Sequence, residues 1–112
     1  MPKSPTLPNC CEDALRDQMR PDLFKALCDP VRISIVATLA SRSGASTVTD
    51  IANCCGIDFS GVSRHLKILK DAGVVVAERD GRSVLYSLNA PILTATLRSM
   101  ADALDICRSQ AA

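Results

Sequence analysis

The chain has 112 residues, 47% of them apolar but only 3% aromatic, and a formal net charge of +1. That length supports one domain with a core of Leu, Ile, Val and Ala, for which a homodimer interface is a natural supplement. The near-neutral charge excludes a uniformly basic nucleic-acid binder. No stretch has the apolar run of a signal peptide or membrane span, so six cysteines in what reads as a cytoplasmic protein point to metal or redox chemistry.

Residues 1–9 carry Pro2, Pro5 and Pro8 and predict a disordered tail ahead of a single domain over 10–109. Cys10 to Arg20 predicts a polar helix, acidic early and basic late, as the helix dipole favours. Pro21 stops it and suits the first turn of a second short helix, Asp22 to Leu27. Pro30 starts a third, whose Val31, Ile33, Ile35, Val36 and Leu39 supply an apolar face ending near Ser41. Ser43 to Ser46 reads as a loop.

Thr47, with Asp50 three residues on, predicts a capping box. The helix it opens runs to about Cys55, where Gly56 can take the left-handed conformation. Asp58 is a good N-cap for the next helix, about 59–72. Within it Val62, Leu66, Leu69 and Gly73 line one side, while Ser60, Gly61, Ser63, Arg64, Lys67 and Lys70 lie elsewhere. Two short helices joined by a Gly-containing turn, the second polar and basic outside, predict a helix-turn-helix. A β-rich run from Val74, the Asp80-Gly81 turn signal and the return from Ser83 predict a hairpin wing over about 74–88. A terminal helix over about 91–108 carries Leu93, Leu97, Met100, Leu104 and Cys107 at intervals of 4, 3, 4 and 3. Such a heptad stripe packs along another helix, and in so small a domain it predicts a dimer interface.

The expected fold is therefore mainly α with a β-hairpin wing, a winged helix-turn-helix dimerising through its N- and C-terminal helices. Its expected partner is double-stranded operator DNA. From Ser60 to Arg82 five basic residues face three acids, a local excess where DNA would dock. Ser60, Gly61, Ser63 and Arg64 occupy the helix start that enters the major groove, with Arg64 suited to guanine. Lys67, Lys70, Arg79 and Arg82 are expected on phosphate, and His65 in packing or on phosphate. For Phe59 two readings stand: helical spacing puts it near the Val62 side, and its place beside the N-cap would leave it partly exposed.

Three motifs resemble those of the ArsR/SmtB metalloregulatory repressors. They are Phe24-Lys25-Ala26-Leu27 with Asp29-Pro30 and Arg32, then Val62 to Lys67 with Leu69 to Val75, then Arg79 to Arg82 with Tyr86 and Leu88. The resemblance covers roughly residues 22 to 106. It implies a homodimer that represses an efflux or detoxification operon and leaves DNA when an effector binds. The family's best-known thiol motif, C-V-C-D-L, falls here on Thr47-Val48-Thr49-Asp50-Ile51, so both of its thiols are gone. Its zinc sites on the terminal helix need histidine, and the sole histidine here is His65. Zinc sensing of either familiar type does not fit.

The remaining thiols carry the effector chemistry. Cys10 and Cys11 are adjacent, in a polar segment with no packing task. On a regular helix, neighbours point about 100° apart, so they share an ion only if the helix starts after them or deforms. Cys55 is expected toward the core and Cys54 away from it. Soft thiolates suit soft metal(loid) ions: trivalent arsenic or antimony foremost, then mercury or monovalent copper. The resemblance implies that the N-terminal arm reaches the helix-turn-helix of the other subunit, giving a site from Cys10 and Cys11 with Cys54 or Cys55 across the dimer. Cys28 and Cys107 are expected to be packing residues. The alternative is a thiol redox or persulfide-sensing repressor using Cys107, although Val36-Ala37 stand where such relatives hold the earlier thiol. No organic cofactor is expected. An enzyme is not expected either, for there is no Cys-x-x-Cys, phosphate-binding glycine loop or Ser-His-acid set; a non-sensing dimerisation module is the remaining class.

Overall fold

The computed structural model describes residues 10–42 and 44–111, and of residues 10–12, 14, 110 and 111 the backbone alone. The expected tail, 1–9, lies outside the described residues. The elements are α1 (Cys10–Gln18), α2 (Pro21–Ala26), α3 (Pro30–Ser41), α4 (Val48–Cys55), α5 (Phe59–Asp71), β1 (Val75–Asp80), β2 (Ser83–Leu88) and α6 (Ala90–Ala111). They fall into two compact units: α1 with the part of α6 from Thr94 onward, and residues Pro21–Leu93.

In the second unit, local chemistry sets each helix start. Asp29 caps α3, its carboxylate accepting from the amides of Val31 (2.8 Å) and Arg32 (3.3 Å), with Pro30 in the first turn, where no donor is needed. Thr47 and Asp50 form the reciprocal capping box of α4: the Asp50 amide donates to the Thr47 hydroxyl at 3.2 Å, the Thr47 amide to the Asp50 carboxylate at 3.4 Å. Gly56 ends α4 at φ +67°, a conformation that costs a residue with a Cβ.

The core of this unit takes Leu23 and Ala26 from α2, Ile35 and Leu39 from α3, Ile51 and Ala52 from α4, and Val62, Leu66 and Leu69 from α5. Each such Leu, Ile or Val contributes about 1.5–3 kcal/mol by leaving water. The apolar positions of α3, α4 and α5 thus fix the relative setting of the helix-turn-helix pair.

β1 and β2 pair antiparallel from Val75↔Leu88 to Asp80↔Ser83, leaving Gly81 and Arg82 as the loop. The turn therefore sits one residue later than expected: Asp80 stays in the ladder, and Gly81 at φ +64° takes the first loop position, as in a type II′ turn. The expected loop before α4 contains a further piece of sheet. Ser46 is buried and exchanges two backbone hydrogen bonds with Tyr86, at 2.9 and 2.8 Å. α6 has 22 residues and runs past the expected end, since nothing between Cys107 and Ala111 breaks a helix. No helix among the described residues is long and apolar enough to cross a membrane.

Candidate nucleic-acid interface and thiol sites

α5 buries Val62, Leu66 and Leu69 and leaves Phe59, Ser60, Arg64, Lys67, Ile68 and Lys70 exposed, with Gly61, Ser63 and His65 half-buried between them. The division follows from the 3.6-residue period. Phe59 is 59% exposed at the very start of the helix, so its place beside the N-cap and not its spacing from Val62 decides its exposure.

The cap organises this end. The Asp58 carboxylate accepts from the Ser60 hydroxyl at 2.6 Å and from the Gly61 amide at 3.1 Å. These two bonds, Ser60 first, hold its carboxyl below the usual value of 3.8, and Arg64 adds a smaller push the same way. The Ser60 proton is thus engaged, and what the hydroxyl offers a base is its acceptor side. A Cβ on Gly61 would stand 3.0 Å from an Asp58 oxygen and 3.3 Å from the Ile57 side chain, so close approach within the turn explains the glycine. Lys67 donates to Asp71 at 3.0 Å, both largely exposed, an i,i+4 pair of the kind worth about 0.3–0.5 kcal/mol. Arg79 at the end of β1 and Arg82 in the turn are both exposed.

His65 is bound within the unit. The Arg32 guanidinium donates to its Nδ1 at 3.2 Å while also donating to the carbonyls of Ala26 and Lys25. Arg32 belongs to the Asp29-Pro30-x-Arg32 motif, but nothing in that pattern shows that it reaches the next helix but one.

The expected thiols are not gathered in one place among the described residues. α1 begins at Cys10 itself, so Cys10 and Cys11 both lie in its first turn; their side chains lie outside those described. Cys54 is exposed and its sulfur accepts from Arg42 at 3.1 Å. Cys55 is half-buried, with its sulfur 3.7 Å from the Thr38 hydroxyl. The two sulfurs thus have separate partners, and the described residues contain no group of three His, Cys, Asp or Glu placed to hold a metal ion. Arg42, which had no signal in the sequence, also reaches the Ser46 hydroxyl at 3.4 Å. Cys28, expected to pack, is exposed: it follows α2 in the turn that leads to the Asp29 cap, outside the buried Leu23–Ala26 stripe. Cys107, also expected to pack, is disulfide-bonded, whereas Cys28, Cys54 and Cys55 are free.

On α6, Leu97 and Leu104 are exposed, at 43% and 47%, Leu93 is half-buried and Met100 is buried within the chain. Ile92 and Ile106, outside the heptad stripe, are exposed as well.

Residues 27–78 match a family model described as a helix-turn-helix domain. Over 67 residues the chain is 48% identical to the transcriptional repressor SmtB of Mycobacterium tuberculosis; this is 60% of the chain but 48% of that protein, so the chain spans about half of its length. It is 38% identical over 79 residues to the transcriptional repressor SdpR of Bacillus subtilis, covering 70% of the chain and 86% of SdpR. A homodimeric winged helix-turn-helix domain from Mycobacterium bovis, a possible ArsR-family regulator, is 31% identical, with a TM-score of 0.61 over 85% of this chain and 88% of that one. The chain belongs to the ArsR/SmtB family. A possible transcriptional regulator for arsenical resistance has the same architecture, at 32% identity and a TM-score of 0.64 over 82% of this chain and 96% of that one. In ArsR/SmtB terms α4 and α5 are the helix-turn-helix, α5 is the recognition helix, and β1 with β2 is the wing.

Proposed function

We propose that this protein is a homodimeric transcriptional repressor whose hold on operator DNA is switched at cysteine thiols. The observation that carries the DNA-binding part is the build of α5. Its buried Val62, Leu66 and Leu69 fix the helix, and its exposed Ser60, Arg64, Lys67 and Lys70 form an outward polar and basic face beside the wing arginines. Such a helix fits the major groove, with base edges before its first turns and phosphates beside its lysines and the wing. Reading two half-sites one turn of DNA apart requires two copies. Exposed Leu97 and Leu104 of α6 offer the apolar surface for that pairing, and the M. bovis relative is homodimeric.

The effector we favour is a soft metal(loid) ion: trivalent arsenic or antimony, or mercury. Thiolates are the matching donors, and one relative's description names arsenical resistance. Because Cys54 and Cys55 hold separate partners, they do not form the site alone; Cys10 and Cys11, from across the dimer, would complete it. Binding there would draw the reading heads away from the spacing of adjacent major grooves. A second reading, a thiol redox or persulfide sensor, is favoured by one observation, the disulfide at Cys107.

Fluorescence anisotropy of the reduced protein on its own promoter DNA separates these readings, with arsenite, antimonite, mercury, copper(I), cadmium and zinc as titrants. Release by a stoichiometric soft ion under full reduction, with zinc inert, is the expected result. Binding untouched by every ion but lost on oxidation, and restored by dithiothreitol, would replace it with the redox reading. Absence of salt-sensitive DNA binding would remove both.

A further inference from the structure

The recognition helix is tied to the helices behind it by a polar strut. Arg32 lies in the first turn of α3 with its side chain only 14% exposed. Its Nε donates to the Ala26 carbonyl at 2.6 Å and its Nη2 to the Lys25 carbonyl at 3.1 Å. Its Nη1 lies 3.9 Å from the Asp29 carboxylate and 3.2 Å from His65 Nδ1. A guanidinium only donates and stays charged, so Nδ1 must present its lone pair. A neutral imidazole bonded this way carries its one proton on Nε2. No described group takes that proton, and no polar side-chain atom among the described residues is buried without a partner. Nε2 therefore opens to solvent.

His65 is half-buried, between the outward and the buried sides of α5. It follows outward-facing Arg64 and precedes buried Leu66, which puts it on the flank of α5 rather than at the centre of its reading face. A helix about 10–12 Å across fills a major groove about 12 Å wide, so its flanks meet the sugar-phosphate walls.

Resting on the DNA-binding reading above, we propose that His65 Nε2–H is a phosphate donor of the recognition helix and that Arg32 is its positioning residue. Arg32 does not reach the DNA. It selects the tautomer and holds the ring, so that the helix offers the operator backbone an oriented, uncharged N–H. Lys67 and Lys70 are different: each neutralises a phosphate and releases counterions, whereas a neutral donor adds affinity with no counterion term.

The test uses the full chain, its promoter DNA and two substitutions that divide the imidazole. His65→Asn keeps an oxygen near the place of Nδ1 for Arg32 but lacks the outward donor. His65→Gln carries its amide nitrogen near the place of Nε2. We expect His65→Asn to bind about tenfold or more weakly on every DNA sequence, at an unchanged slope of log affinity against log salt, and His65→Gln to stay within about threefold of the parent. Nitrogen-15 NMR of the free protein should show the Nε2–H tautomer, with the preference lost in Arg32→Lys. Unchanged affinity in His65→Asn, with the parent binding normally, would overturn the proposal and leave the repressor reading standing. So would equal losses of affinity and melting temperature in both His65 variants, or a proton found on Nδ1. A parent that binds no promoter DNA would end the phosphate role together with the repressor reading, and the tautomer measurement would then report on the strut alone.

Discussion

Asp58 shows how much one side chain decides at the start of the recognition helix. It caps the helix, engages the Ser60 proton and stands 3.0 Å from where a Cβ on Gly61 would lie. Its folded carboxyl lies below the usual 3.8, so its contribution to stability is fully present above that pH and is lost as pH falls through the lowered value. The stability gap between the parent and Asp58→Ala, measured by urea unfolding, should hold constant from neutral pH to about 5 and close on further acidification. A gap that widens in acid would contradict the assignment. The cap itself was legible, because Asp before a polar-apolar periodic run has few other uses. The engagement of Ser60 was not, since it depends on a rotamer, and Cys28 was misplaced because its residue type says little about which side of a turn it occupies.

On the proposed DNA-binding reading, the outward residues of α5 divide into those expected to read bases and those expected to hold phosphates. Arg64→Ala should relax base preference at one position of each half-site, at a cost of about 1–3 kcal/mol for the preferred base. Lys67→Ala should weaken binding evenly across sequences and lower the salt slope by about 2, one phosphate for each of the two subunits. Competition binding with single-base operator variants at several salt concentrations reads both; an even loss in Arg64→Ala would take it off the bases. The limits of α4 and α5 followed from capping and Gly56, and the return strand from the turn signal before it, all short-range signals. What escaped notice were contacts between elements: Ser46 with Tyr86, Arg32 with His65 and Arg42 with Cys54. Each joins residues 12 or more positions apart and depends on helix packing rather than on local pattern.

At the scale of the molecule, the heptad on α6 predicted a partner-facing stripe, but Met100 is spent on burial within the chain while Leu97 and Leu104 remain exposed. Leu97→Glu with Leu104→Glu should yield a folded monomer by sedimentation velocity, with operator affinity reduced at least a hundredfold, since one reading head loses the other's contribution. A dimer persisting with both changes would place the interface elsewhere. The family and its wing were legible from three motifs; the arrangement of the thiols was not, since it depends on which sulfurs face one another.

The paired amides of Ser46 and Tyr86 have a consequence for motion. A segment joining two helices ordinarily opens on its own, but this one is expected to open together with β2, because the Ser46 and Tyr86 backbones supply each other's hydrogen bonds. In hydrogen exchange the Ser46 amide therefore behaves as part of the sheet, and its protection falls and recovers in step with that of Tyr86. Lengthening the chain between Ser46 and the α4 cap would then disturb the wing, although the insertion lies nearly 40 residues before Tyr86 in the sequence.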